Sequence, residues 1–218
     1  QIKEVNKEIF KINQKKENKN NLFFSISSKI TGQKHKYKIN LIRKYLRKNK
    51  IDYLLITAPE NIAWILNIRG FDTPYSPLPN CNLIIGKNKF LKLIVEKSKV
   101  KNLINEGKIT YNEYLDPTKF EKLINTLHGR SFNIDFKTCS IFKQNIISKK
   151  FKIKNIHDPC YYLKSIKNKK ELFFMKRAHL EDGLALTKFL YWIKNQSNRK
   201  MSELSVQKKL ENFRKKKK

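Results

Sequence analysis

Arg69 and Asp72, three residues apart across Gly70, are the pair whose types suit contact with a substrate. They stand in ENIAWILNIRGFDTPYSPLPN, residues 60–80. A guanidinium grips a carboxylate or a peptide carbonyl through charge-assisted hydrogen bonds. The stretch opens with the helical spacing of Ile62, Ile65 and Leu66, breaks at Asn67-Ile68-Arg69-Gly70, and continues through Pro74, Pro77 and Pro79. Glycine permits a turn that side chains forbid, and the prolines fix the exit path. The spacing therefore predicts a buried helix ending in a rigid loop from which Arg69 and Asp72 project. Two readings follow. Either the loop faces a cleft and shapes a substrate entrance, or Arg69 and Asp72 form an interdomain salt bridge that touches no substrate. As a partly exposed loop residue, Arg69 is expected to add little to the stability of the fold.

Other groups carry less chemistry. His179, Glu181 and Asp182 are metal-ligand types, but on a helix 179 and 182 share a face while 181 points elsewhere, which favours packing or capping. His128, in Leu127-His128-Gly129-Arg130, reads as a helix-end histidine that favours the C-terminal dipole. His35 and His157 have no partner at ligand spacing and read as surface or hinge residues. Cys81, Cys139 and Cys160 are odd in number, far apart and without a C-x-x-C pair, as expected of buried thiols in a reduced, cytoplasmic protein. None has an adjacent base to activate it. Gly-rich phosphate loops are absent. No catalytic residue and no metal ligand is assigned.

The elements that must hold these residues follow from periodicity. Residues 2 to 12 show a faint helical spacing, and Leu22 to Ile26 reads as a short strand or loop. Ile39, Ile42, Tyr45 and Leu46 are spaced as a helix, 53–57 as a continuous apolar strand, and 60–67 as a second helix. Strands at 82–86 and 90–95 join across Gly86-Lys87-Asn88-Lys89 as a hairpin. Then come a helix near 98–105, a strand at 108–111, a helix at 117–127 opened by Asp116-Pro117, a strand at 131–135, a helix at 139–148 and a strand at 151–156. Strands alternating with helices predict an α/β domain with a mixed sheet covered by helices, over roughly 35–157. His157-Asp158-Pro159-Cys160 breaks the pattern. Beyond it, Leu172, Met175, Leu180, Leu184, Leu186, Phe189 and Ile193 predict one long helix, and a second follows Ser202. The chain does not open with methionine and stops on Arg214 and four lysines, the expectation for a piece of a longer product.

Composition bounds the partners. The chain has 218 residues, 39% of them hydrophobic, enough for one sizeable core, and no apolar run approaches the ~20 residues of a membrane helix. The formal charge of +31 points first to nucleic acid. Seven of the 49 basic residues are arginines, however, and the lysines are scattered among Asn and Ile, the mark of an A/T-rich coding sequence. Arginine is the preferred base-reading and bidentate phosphate ligand, so no specific nucleic-acid partner is expected.

The ordered motifs resemble a known family. Asn61-Ile62-Ala63-Trp64, then Leu66-Asn67-Ile68-Arg69-Gly70-Phe71-Asp72 with Pro74, Tyr75 and Pro77 come first. Later come Asp158-Pro159 with Leu163-Lys164-Ser165-Ile166-Lys167, and Ala178-His179 with Asp182-Gly183-Leu184-Ala185-Leu186. Together they resemble the Xaa-Pro aminopeptidases (aminopeptidase P) of three-domain type, in the creatinase/pita-bread superfamily, from about residue 22 to the end. The resemblance implies that 1–30 is the tail of a preceding domain I and 35–157 a creatinase-type α/β domain II. It makes 158–171 a linker and 172–218 the first helices of a truncated pita-bread catalytic domain. It also implies hydrolysis of the bond before a penultimate proline by water held between two metal ions, commonly manganese, in a parent protein that is a homodimer. The family's ligands, two Asp, one His and two Glu, lie downstream of the helices seen here, so this chain alone is expected to bind no metal and to be inactive. The substrate is then a proline-containing peptide, with Arg69 and Asp72 as cleft candidates. Two alternatives remain: a catalytically inactive binding or scaffold protein of the same fold, and a lysine-rich nucleic-acid binder.

Overall fold

In the computed structural model the described residues are 22–196 and 201–215; the weak helical spacing at residues 2 to 12 and the end of the lysine run lie outside them. In chain order the elements are β1 (Phe24–Ser25), α1 (Ser28–Thr31), α2 (His35–Lys48), β2 (Tyr53–Ile56), α3 (Pro59–Leu66), β3 (Ile68–Arg69), β4 (Asn82–Gly86), β5 (Leu91–Ile94) and α4 (Lys97–Asn105). There follow β6 (Tyr114–Leu115), α5 (Phe120–Thr126), β7 (Ser131–Ile134), α6 (Ile141–Ser148), β8 (Lys152–Lys154), α7 (Pro159–Ser165), α8 (Lys169–Lys194) and α9 (Glu203–Lys215). Two compact units result. Of the described residues, one holds 22–26 and 35–164, the other 27–34, 165–196 and 201–215.

The first unit is built on a six-stranded sheet of order β6-β5-β4-β2-β7-β8. The hairpin β4-β5 is antiparallel, and β4 is antiparallel to β2. β2-β7, β7-β8 and β5-β6 are parallel, so the sheet is mixed as expected. Alternation along each strand sends side chains to opposite faces. Leu54, Ile56, Leu83, Ile85 and Leu93 pack on one face against α2, α3 and α4. Leu55, Ile84, Phe132 and Ile134 pack on the other against α5 and α6. The central strands are buried on both sides, which is why 53–57 reads as an unbroken apolar run.

Two elements depart from the periodicity. The strand expected at 108–111 is instead a turn that follows α4, with Gly107 at φ 64, and the edge strand lies at Tyr114–Leu115. Ile109 is buried without belonging to the sheet. Residues 159–165 form a helix where Asp158-Pro159 reads as a break. Proline is tolerated in the first helical turn, and Asp158 Oδ1 accepts the Cys160 backbone N–H at 2.9 Å.

In the second unit, α8 opens on a capping box. Asn168 Oδ1 accepts the N–H groups of Lys170 (2.9 Å) and Glu171 (3.0 Å), while Glu171 Oε2 accepts that of Asn168 at 2.9 Å. Asn168 Nδ2 donates to Thr31 O of α1 at 2.9 Å. Arg214 Nε of α9 meets Asp182 Oδ1 of α8 at 2.7 Å. Of the 26 residues of α8 only Ala185 is buried.

At the amino ends of the parallel strands, Asp52 ties β2 to β7. Its Oδ2 accepts the N–H groups of Arg130 (2.7 Å) and Ser131 (3.0 Å), and Lys87 Nζ meets Oδ1 at 2.6 Å. Burial alone would push the Asp52 carboxyl up, but the hydrogen bonds from Lys87, Arg130 and Ser131 outweigh it and bring the pKa from 3.8 to about 2. A carboxylate with a depressed folded-state pKa adds stability above its unfolded value and loses it as pH falls through the folded one. Asp52→Asn is therefore expected to flatten the loss of stability between about pH 4 and about pH 2, measured as denaturant midpoints. An unchanged acid limb would show that Asp52 does not contribute to it.

Candidate functional site

α3 begins at Pro59, suited to the first turn, and buries Ile62, Ala63, Ile65 and Leu66. It ends on Asn67, whose φ of 52 is the left-handed conformation that a helix C-terminus uses. Two cations meet the negative end of this helix. Arg69 Nη1 donates to Ala63 O at 3.1 Å and to Ile68 O at 2.8 Å. Lys38, from α2 and 1% exposed, donates to Trp64 O at 3.0 Å and to Asn67 Oδ1 at 2.8 Å. Its Nζ lies 4.4 Å from the Trp64 ring centroid, within cation–π range. Charged donors at the last carbonyls satisfy groups the helix leaves open and complement its dipole. Arg69 is half-buried, and burial lowers its guanidinium below the ordinary value while leaving it charged at neutral pH.

The loop beyond is pinned from inside. Asp72 Oδ1 lies 2.9 Å from Lys99 Nζ, and Oδ2 accepts the Asn80 N–H at 2.7 Å; its side chain is 5% exposed and that of Lys99 17%. Asp72 thus joins the two ends of the proline-rich segment to α4. At the tip, Tyr75 holds φ 62 and is 99% exposed. Gly70 is required for a reason other than the turn. Its φ is not in the left-handed region, but a Cβ there would stand 2.9 Å from the Phe23 ring and 3.0 Å from Pro79 Cα. The close approach lets β3 pair with β1, Phe24 opposite Arg69.

Arg69 and Asp72 are therefore near neighbours held by different partners. Among the described residues no ion pair joins them: Arg69 donates through Nη1 to Ala63 O of α3 and Ile68 O of β3, and Asp72 pairs with Lys99.

A second polar cluster lies between α3 and α7. Asn61 Nδ2 donates to Asp158 Oδ2 at 2.7 Å, and Lys164 Nζ donates to Asn61 Oδ1 at 2.7 Å. The Asp158 N–H donates to Asp135 Oδ2 at 3.1 Å, and His157 Nδ1 is 2.8 Å from the same oxygen. Asn61 and Asp158 are fully enclosed, and burial pushes the Asp158 carboxyl up. Residues 97 apart in sequence are brought into one hydrogen-bonded line. Sequence reasoning gave these positions no role. The signal was a polar residue on the buried face of α3 and an aspartate before Pro159.

A model of the creatinase/prolidase N-terminal domain matches residues 14–171. The chain belongs to that family. Among curated relatives, it is 32% identical over 204 residues to Xaa-Pro aminopeptidase 1 of Dictyostelium discoideum, which covers 90% of this chain and 32% of the relative. It is 28% identical over 186 residues to the Xaa-Pro aminopeptidase ApepP of Drosophila melanogaster, covering 81% of this chain and 30% of the relative. The chain thus spans about a third of the length of these relatives. Among solved structures, the X-prolyl aminopeptidase of Caenorhabditis elegans, described as a cytosolic enzyme with a di-nuclear active site, superposes with a TM-score of 0.78. It is 20% identical, over 90% of this chain and 33% of that one, a likeness of fold.

Within the family fold, the motif residues Asn61, Asp158 and Lys164 form one hydrogen-bonded network, a structural reason for their spacing. A di-nuclear site does not fit the residues present. Among the described residues no group of three or more His, Cys, Asp or Glu is placed to hold a metal ion. His179 is exposed on α8, where Glu181 pairs with Arg177 and Asp182 with Arg214. His128 is exposed beyond the end of α5, and its carbonyl accepts the Tyr53 hydroxyl at 2.7 Å. His157 stacks on Tyr161 with centroids 4.8 Å apart. At His35 burial, with Lys108 and Lys36 nearby, lowers the pKa to about 4. All three cysteines are buried free thiols, and burial pushes each up, Cys139 to about 11. Among the described residues no helix is long and apolar enough to cross a membrane.

Proposed function

We propose that this chain is the non-catalytic part of a cytoplasmic, manganese-dependent Xaa-Pro aminopeptidase. The first unit is its domain II, and α8 and α9 open the domain in which proline-containing peptides are hydrolysed. The parent is a homodimer with no specific nucleic-acid partner. The observation that carries this reading is the match to Xaa-Pro aminopeptidases over 90% of the chain and a third of their length. The state of α8 supports it. Phe173 (57%), Leu180 (76%) and Leu184 (51%) are exposed on a helix with a single buried residue, as expected where a further layer of protein belongs. Arg69 supports a cleft-facing loop, because both of its hydrogen bonds among the described residues leave from Nη1, so Nε and Nη2 are available to a carboxylate or peptide carbonyl.

Two preparations test the reading. This chain alone, titrated with Mn²⁺ in a calorimeter and assayed on a peptide with proline in second position, is expected to show no stoichiometric metal binding and no release of the first residue. The longer gene product that contains it, loaded with Mn²⁺, is expected to release that residue and to lose the activity when the second residue is alanine. A longer product that is inert on both peptides would favour the scaffold alternative.

A further inference from the structure

We propose that the cleft at the amino ends of the parallel strands binds a compact oligophosphate anion. The register gathers its walls. Tyr53 pairs with Phe132 and Gly86, and Ser131 with Lys152, so the starts of β2, β7 and β8 and the end of β4 share one edge. Around that edge stand Arg47 from the last turn of α2, Lys50, Lys87, Arg130 and Lys152, lining a cavity of about 520 Å³. Asp52 is the one carboxylate in the lining, and Lys87 with two backbone N–H groups already answers its charge.

Among the described residues, the side chains of Lys50, Arg130 and Lys152 make no hydrogen bond or ion pair with another protein group. Lys50 also holds φ 52, a conformation that favours glycine or asparagine, so a lysine there is placed against its backbone preference. Arg47 is steadied at the rim by donating through Nη1 to Lys87 O at 2.8 Å. The cavity has the size of a small-ligand site rather than a track along a surface. Concentrated positive charge with two guanidinium forks matches several phosphate groups held close together, as in a triphosphate. This site is independent of the aminopeptidase reading, and neither Arg69 nor Asp72 lines it.

The test is calorimetric titration of this chain with inorganic tripolyphosphate and, in parallel, ATP and a single-stranded oligonucleotide. One saturable tripolyphosphate site is expected, weakening as salt is raised. The double variant Arg130→Gln/Lys152→Gln is expected to weaken it by roughly tenfold or more. Lys119→Gln/Lys122→Gln removes the same charge outside the cleft and is expected to change it by less than about twofold. Because Arg130 and Lys152 are exposed, the cleft variant is expected to keep its melting temperature, and Lys50→Gln provides an independent loss. ATP binding in step with tripolyphosphate extends the site to nucleotides; tripolyphosphate binding alone restricts it to the inorganic anion. Equal weakening by both double variants, absence of saturation, or an oligonucleotide that outcompetes tripolyphosphate at the cleft would each overturn the proposal.

Discussion

Asp72→Ala is expected to lower the unfolding free energy by roughly 2–4 kcal/mol, because it strands the Lys99 ammonium and removes the acceptor of the Asn80 N–H. Breaking one side of a buried ion pair costs more than the pair contributes, since the surviving charge stays out of water. Lys99 is 17% exposed, so part of that cost is relieved by solvent. The melting temperature should fall on the order of 10 °C for a chain of this size. Asp72→Leu combined with Lys99→Met should recover much of the loss, because neither charge is then left alone. Chemical denaturation of the single and double variants measures both effects. A single variant within about 0.5 kcal/mol of the parent would mean that the pair is not closed in solution.

That expectation could not be written from the sequence. Asp72 lies in a segment of prolines and exposed residues, and its partner is 27 positions away on α4. The chain has so many lysines that the buried ones do not stand out. Lys38 and Lys99 look like every other lysine in the chain, and only the third dimension shows that one caps α3 and the other closes a loop. The helix itself was legible, since Ile62, Ile65 and Leu66 follow the helical period, and so was the hairpin around Gly86 to Lys89. The rule that failed at α7 was the reading of a proline as a stop. In Asp158-Pro159 the aspartate is a cap and the proline sits in the first turn, so the same two residues start a helix.

Gly70 shows a subtler limit. A glycine after a helix invites the left-handed reading, yet here Asn67 takes that conformation, and Gly70 makes room for Phe23. Close packing depends on a residue 47 positions earlier, which no local pattern contains. The Asn61–Asp158–Lys164 line is similar: each residue is visible as part of an ordered motif, but the geometry that joins them is long-range. Local period and capping chemistry specify elements, whereas burial of polar side chains is decided by what arrives from elsewhere.

Arg69 is where the two levels meet. Its two bonds from Nη1 to Ala63 O and Ile68 O make it a fastening of the α3 terminus, so the expectation that it adds little to stability is revised. Arg69→Ala in the complete protein should cost about 1–2 kcal/mol of unfolding free energy, the scale of charged hydrogen bonds to partly buried carbonyls. If the loop lines the substrate entrance, turnover of Xaa-Pro peptides should also fall, by about tenfold to a hundredfold in kcat/KM. The two effects separate at Arg69→Lys. An ammonium can reach one carbonyl and keep much of the stability, as Lys38 does at Trp64 O, but it lacks the planar fork needed to hold a helix carbonyl and a substrate at once. Lysine should therefore restore most of the unfolding free energy and only a minor part of kcat/KM. Restoration of both together would make Arg69 a structural tie alone, with the loss of turnover a consequence of a loosened loop.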